Sequence, residues 1–245
     1  MALVNPLGGI TRLEQERVAG AIPDFFRELA KRAGMPLHLE LLPRARVVAQ
    51  WQDGGADLVV GTRPRQMNPH ADFVPIVRLR VMLVFDRRQA SAAPQDTLAL
   101  VERSDWRGLM VRGAALTDAI QGLVDRLEAR KRLWLVRDWT TVLRMLLAER
   151  AEFTLFSPTL MHGESSWMDR EARERLVARP LSDVKPHEIG VHLSSRLAPE
   201  VRAQLVLHTS AMARDGTLRR LLLRDHPPEL LAQDLQFLDS SEITP

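Results

Sequence analysis

A helix, a tight acidic connection and a buried strand occur together twice in this chain, in Val47–Gly61 and again in Val142–Phe156. In each copy apolar residues recur at helical spacing, a short polar stretch breaks the pattern, and an Ala plus a carboxylate precede a continuous apolar run. The runs Leu58-Val59-Val60 and Phe153-Thr154-Leu155-Phe156 suit strands covered on both faces, as in parallel sheets. The carboxylates Asp57 and Glu152 stand 95 positions apart, and the flanking apolar residues keep the same offset. Two α/β halves follow, and a cleft between them is the default place for function.

The chain has 245 residues, 45% of them hydrophobic, enough for two lobes with real cores. It contains no cysteine, which excludes disulfides, thiol catalysis and thiolate metal sites. The 34 basic residues face 31 acidic ones, for a net charge of +3. With neither Cys nor Tyr, little titrates between His and the strong bases, so this small excess raises the isoelectric point without making a basic stripe. Bases alternate with acids, as in Arg170-Glu171-Ala172-Arg173-Glu174-Arg175, a solvated face, and no nucleic-acid partner is expected. Arg outnumbers Lys by 31 to 3, which suits planar anion recognition or reflects codon usage. His187 and His192 straddle a strand entry and no other histidines converge, so no metal site is expected. Gly163-Glu164-Ser165-Ser166 lacks the nucleophile-elbow pattern, and neither a phosphate loop nor a dinucleotide fingerprint is present. No cofactor and no catalytic residue are assigned, and the chain reads as a non-enzyme.

Along the chain, residues 2–5 read as a strand, and Ile22, Phe25, Phe26, Leu29, Ala30 and Ala33 mark one face of a helix stopped by Gly34. Leu37–Leu42 alternates into a strand, Pro43 opens a helix, and Val81–Phe85 is a second buried strand. The polar segment Arg87–Asp105 suggests a passage between lobes. Further strands are expected at 109–111, 133–136 and 189–193, a helix through Ile120–Leu127 capped by Thr117 or Asp118, a charged helix over 165–179, and helix from Pro199 to Arg224. Trp139 and Trp167 either line a cleft or belong to the core.

This order of elements, with Gly20–Asp24, Pro43-Arg44-Ala45-Arg46, Gly55-Ala56-Asp57, Asp72-Phe73-Val74-Pro75, Asp105-Trp106-Arg107-Gly108, Leu146–Glu152, Leu193-Ser194-Ser195 and Asp215-Gly216-Thr217-Leu218, resembles the type 2 periplasmic solute-binding proteins, family 3, associated with amino-acid ABC transporters. The resemblance spans about residue 2 to residue 225. It implies a two-lobed α/β fold with a ligand cleft between lobes: 1–84 plus 191–245 as the first, 85–190 as the second, and hinge strands near 83–86 and 188–191.

The same resemblance locates the ligand positions. In amino-acid binders of this family an Arg after the first-lobe strand takes the ligand carboxylate and an Asp of the second lobe takes its ammonium; here the corresponding positions are Met67 and Ser157, and the aromatic after the first strand is replaced near Gly8 and Gly9. The amino-acid clamp is therefore expected to be absent. Arg63 and Arg65, close to the vacant position, either take an anion or are exposed loop arginines. Gly113 to Thr117 either presents N–H groups to an anion or is an ordinary helix start. The implied ligand-binding set is Asn5, Thr62, Arg63, Arg65, Gly113, Thr117 and Ser157.

The function expected is that of a monomeric extracytoplasmic protein that captures a small polar or anionic ligand by lobe closure, for an ABC permease. Met1–Pro6 lacks the features of a signal peptide, so a periplasmic location implies that the natural leader is replaced by Met1. The alternative is the ligand-sensing domain of a membrane signalling protein of the same fold, against which the polar Leu230–Pro245 reads as a natural terminus. A periplasmic dehydratase acting on prephenate-like acids is the enzyme alternative.

Overall fold

The computed structural model describes residues 1–63, 72–112, 114, 118–165 and 168–238. The chain divides into two compact units, Met1–Leu79 with His187–Pro245, and Arg80–Pro186.

The first unit opens with strand β1 (Ala2–Val4), a hairpin of β2 (Arg12–Glu14) and β3 (Arg17–Ala19), helix α1 (Ala21–Ala33), β4 (Leu39–Leu41), α2 (Arg44–Gln52), β5 (Leu58–Thr62) and β6 (Asp72–Leu79). Helix α1 buries Ile22, Phe25, Phe26 and Leu29, one stripe at the 3.6-residue period. It ends where Gly34 takes up φ 64°, a left-handed cap that a side chain would strain. The hairpin turns on Gln15 and Glu16, both at positive φ.

The second unit contains β7 (Met82–Asp86), a π-helical turn Ala99–Arg103, β8 (Gly108–Val111), α3 (Asp118–Ala129), β9 (Leu133–Val136), α4 (Trp139–Leu147), β10 (Phe153–Phe156), α5 (Pro158–Glu164), α6 (Arg170–Arg175) and β11 (Leu176–Pro180). The chain then returns to the first unit with β12 (His187–Leu193), α7 (Pro199–Arg214), α8 (Thr217–Leu222), α9 (Pro228–Asp234) and β13 (Leu235–Phe237).

Both units are βαβαβ modules of the same strand order. In the first, β4-β1-β5 are parallel; in the second, β9-β8-β10 are. Each sheet continues through antiparallel pairings, with β12, β6 and β13 in the first and β7 and β11 in the second. The strand that pairs with β5, and the one that pairs with β10, is in each case the first to form after the chain arrives from the other unit. The repeat read from the sequence is thus structural. The backbone N–H groups of Asp57 and Leu58 both donate to Met1 O, at 2.9 and 3.2 Å, and those of Glu152 and Phe153 to Arg107 O, at 2.8 and 3.3 Å. The Asp57 carboxylate accepts from the Met1 amine, and Glu152 Oε2 from the Arg107 N–H at 2.7 Å. Each acid therefore ties its strand to the residue just before the first strand of its own module.

Several elements differ from the sequence reading. The charged helix expected over 165–179 ends at Arg175, and Leu176–Pro180 is instead a strand paired with β7. Its apolar residues serve the sheet, and Pro180 is tolerated because β11 is an edge strand. The polar segment Arg87–Asp105 lies inside the second unit rather than between units, because Ala93, Leu100 and Val101 are buried in its core. Arg132 fastens that segment by donating to the carbonyls of Leu100, Val101 and Trp106 at 2.7 to 3.0 Å. The units divide between Leu79 and Arg80 and between Pro186 and His187, so residues 83–86 lie within β7 and residues 188–191 within β12.

At the end of β7, the buried Asp86 carboxylate receives Arg88 at 2.9 Å and Arg175 at 2.6 Å, and Arg88 reaches on to Glu149 at 2.7 Å. The Arg88 hydrogen bonds, followed by those of Arg175, hold Asp86 far below the ordinary carboxylate range. Replacing it leaves the half-buried Arg175 with only the longer ionic contact to exposed Glu149, at 3.8 Å. Asp86→Ala is expected to cost about 2–4 kcal/mol in urea unfolding. Arg88→Ala, whose side chain is largely exposed, should cost far less; equal losses would mean that Asp86 does not organise the network.

Candidate functional site

In an open α/β sheet of this order, the helices after the first two strands leave to opposite faces, and a crevice opens at the carboxyl ends of the strands. In the first unit that edge carries Asn5 after β1, Arg44 at the first turn of α2, Thr62 at the end of β5 and Arg63 just after it. Because β12 runs antiparallel to β5, Ile189 faces Thr62 and Glu188 is brought beside Arg63. In the second unit the corresponding edge carries Val111, Arg112 and Ser157.

A layered group of side chains covers the strands below that edge in the first unit. Gly61 of β5 pairs directly with Gly190 of β12, leaving a patch of sheet without side chains. A Cβ on Gly190 would stand 2.6 Å from the Phe73 ring and 2.4 Å from Val74 O, so only glycine lets Phe73 lie there. The Phe73 ring meets the buried His192 ring at 4.8 Å between centroids, and His192 in turn meets Trp51 at 6.1 Å. Above Phe73 sits the Arg63 guanidinium, 4.8 Å from the ring centroid, in a cation–π arrangement.

His192 Nε2 lies 2.9 Å from Thr62 O. A carbonyl only accepts, so Nε2 carries the proton and donates it, and the neutral ring has Nδ1 unprotonated. Burial first, then the neighbouring charges of Arg44 and Arg63, lower the pKa of His192. Burial alone pushes His187, on the same strand, down to about 4.

The expected ligand positions fall out as follows. Asn5 is half-buried and its side chain donates to Pro6 O at 3.1 Å. Thr62 uses its carbonyl to hold His192. Arg63 is exposed, and its Nε lies 3.2 Å from Glu188 Oε2, so its charge already has a partner. Ser157 is buried and caps α5, its Oγ accepting from the Leu160 N–H at 3.1 Å. Arg65, Met67, Gly113, Thr117 and Trp167 lie outside the described residues. The structure brings Thr62 and Arg63 together at one sheet edge, with Asn5 at the end of the neighbouring strand. Trp139 stacks on Phe156 at 3.4 Å between centroids and packs, partly buried, on the cluster of Leu109, Val142, Leu146 and Ala151.

The sequence reading did not single out Arg44, Glu188 or His192 as site residues. A signal for Arg44 does exist: a basic residue in the first turn of a helix opposes the helix dipole, a local misfit that needs a reason. Two recesses lie elsewhere. One of about 170 Å³ is lined by the Asp86–Arg88–Glu149 ion pairs, and a groove of about 610 Å³ runs between β6 and α7 past Val206 and Leu207.

Parallel modules of this order, each completed by the strand that has just entered it, define the type 2 periplasmic binding protein fold, and the chain has that fold. No protein-family model and no curated protein matches the sequence. Solved structures do match. The periplasmic VFT2 domain of BvgS from Bordetella pertussis is similar over 92% of both chains, at 15% identity and a TM-score of 0.65. The amino acid ABC transporter substrate-binding protein AbpA from Streptococcus pneumoniae, solved with L-arginine, is similar over 91% of this chain and 92% of its own, at 15% identity and a TM-score of 0.67. A putative L-cystine ABC transporter protein from Listeria monocytogenes is similar over 93% and 95%, at 12% identity and a TM-score of 0.68.

Two outcomes follow from the packed face. Gly190→Ala should lower stability by about 1–3 kcal/mol, read as a shifted denaturant midpoint, because the new methyl meets both a ring and a backbone carbonyl. The lowered pKa values of His192 and His187 make the unfolded chain bind more protons below pH about 6.5. Stability is therefore full above that pH and is lost as pH falls from about 6.5 toward the folded values. Urea midpoints at pH 7.5, 6.5 and 5.5 check this, and His192→Gln should flatten the decline; an equal slope in the variant would show that His192 carries none of it.

Proposed function

We propose that this chain is a non-enzymatic solute-binding protein that acts outside the cytoplasm as a monomer, captures a small polar or anionic ligand at the carboxyl edges of its two modules, and delivers it to an ABC-type permease. The observation that carries this reading is the fold itself, matched over more than nine-tenths of both chains by substrate-binding proteins of ABC transporters. The hinge of this reading is the pair of connections where the chain passes between the units. Asn5, Thr62, Arg63 and Ser157 stand at strand ends, where solutes of this fold class are held, and Arg65, Gly113 and Thr117 belong to the same proposed set. With Ser157 occupied in capping a helix, a simple α-amino acid would lose water from its ammonium without a paired charge to replace it.

A second reading, the ligand-sensing domain of a signalling protein, is favoured by a specific finding. Besides the BvgS domain, a histidine kinase sensor domain is similar over 92% of this chain, at 14% identity and a TM-score of 0.68. Solute capture is common to both readings. A thermal-shift screen against amino acids, dicarboxylates, polyamines and phosphorylated solutes tests it, since a ligand at a hundredfold excess over Kd adds about 2.7 kcal/mol of stability. A stabilising solute supports capture, and a screen without any shift overturns it. Turnover of prephenate to an aromatic product would overturn the non-enzyme reading separately.

A further inference from the structure

We propose that Arg44 is the principal anion contact of the first unit, and that it takes a carboxylate or phosphate group of the captured solute at the carboxyl edge of β1 and β5. This rests on the solute-capture reading and names the chemical class of the solute.

Several arginines near a sheet end have counter-ions, Arg63 in Glu188, and Arg88 and Arg175 in a shared Asp86, while Arg112 at the edge of the second unit is exposed to solvent. Half-buried Arg44 has no ion pair or hydrogen bond among the described residues, and desolvation is the influence on its charge. It also sits in the first turn of α2, which contains no acid and has no side-chain cap, so the positive end of the helix adds to the misfit. No neighbour among the described residues relieves it. His192 is neutral and commits its N–H to Thr62 O, while Glu188 is engaged by Arg63.

The guanidinium packs over the sheet beside His192: a Cβ placed on Gly61 would lie 3.7 Å from Arg44 Nη2 and 3.6 Å from His192 Nε2, ordinary van der Waals contact with both. A neutral solute there would leave a desolvated cation without compensation; an oxyanion supplies charge and a bidentate acceptor together.

Isothermal titration with succinate and with inorganic phosphate as probes tests the proposal, on the wild type and on Arg44→Gln, Arg44→Lys and Arg170→Gln, each checked for folding by circular dichroism. The wild type should bind at least one probe, and which one it binds separates a carboxylate from a phosphoryl source. Arg44→Gln should weaken that probe by roughly tenfold or more. Arg44→Lys should fall between, because an ammonium keeps the charge but not the fork. Arg170→Gln should change little, since that arginine lies exposed on α6 and pairs with Glu174. Unchanged affinity in folded Arg44→Gln overturns the proposal. Should that variant not fold, unchanged affinity in Arg44→Lys does so. A wild type that takes polyamines in the thermal screen but neither anion refutes the role of Arg44 and leaves solute capture standing, whereas no binding of any solute brings down capture itself.

Discussion

The first unit depends on one strand delivered late. β12 lies between β5 and β6, hydrogen-bonded to both, yet it is made only after the chain has built the whole second unit. Without it, β6 and β13 have no attachment to the parallel module. The second unit has no such debt, because its inserted strand β7 is the first element made after the crossing. Closing the first sheet therefore requires pairing residues more than a hundred positions apart, such as Thr62 with Ile189, a long-range contact of the kind that slows folding.

That late strand also builds the candidate site. Its Gly190 clears space for Phe73, its His192 fills the layer between Phe73 and Trp51, and its Glu188 engages Arg63 at the sheet edge. The same hydrogen bonds that complete the sheet thus set the electrostatics at its end. Register is strict here, since a slip of one residue would send His192 and Glu188 to the opposite face.

Much of this was legible in the sequence where local pattern and tertiary role agree. The apolar runs of β5 and β10, the stripe of α1 and its Gly34 stop follow from periodicity and cap chemistry, and the topology of the modules followed from their repetition. Elements failed to declare themselves where pairing overrode local preference. β6 contains Pro75, which argues against a strand, but Pro75 faces Gly190 just where the register shifts, so its missing N–H falls at an irregularity. β11 continues a charged helical stretch with no breaker, and only its pairing with β7 makes it a strand. The β2–β3 hairpin turns on Gln15 and Glu16, without the Asn-Gly or Asp-Gly signal. Of the site, Thr62 and Arg63 were readable as residues at a strand end. The pairing of Arg63 with Glu188 was not, because those residues meet through sheet register across 125 positions of sequence.

The two strand tethers invite a comparison of their donors. In the second unit Glu152 is satisfied by an ordinary peptide N–H, that of Arg107, in mid-chain. In the first unit Asp57 occupies the equivalent place and meets the terminal ammonium of Met1. A peptide bond at that amine would exchange an ion pair for the neutral donor that already suffices in the sister module. The aspartate would keep its partner atom and lose only the charge, so the two tethers differ in the charge of the donor and not in its place in the module.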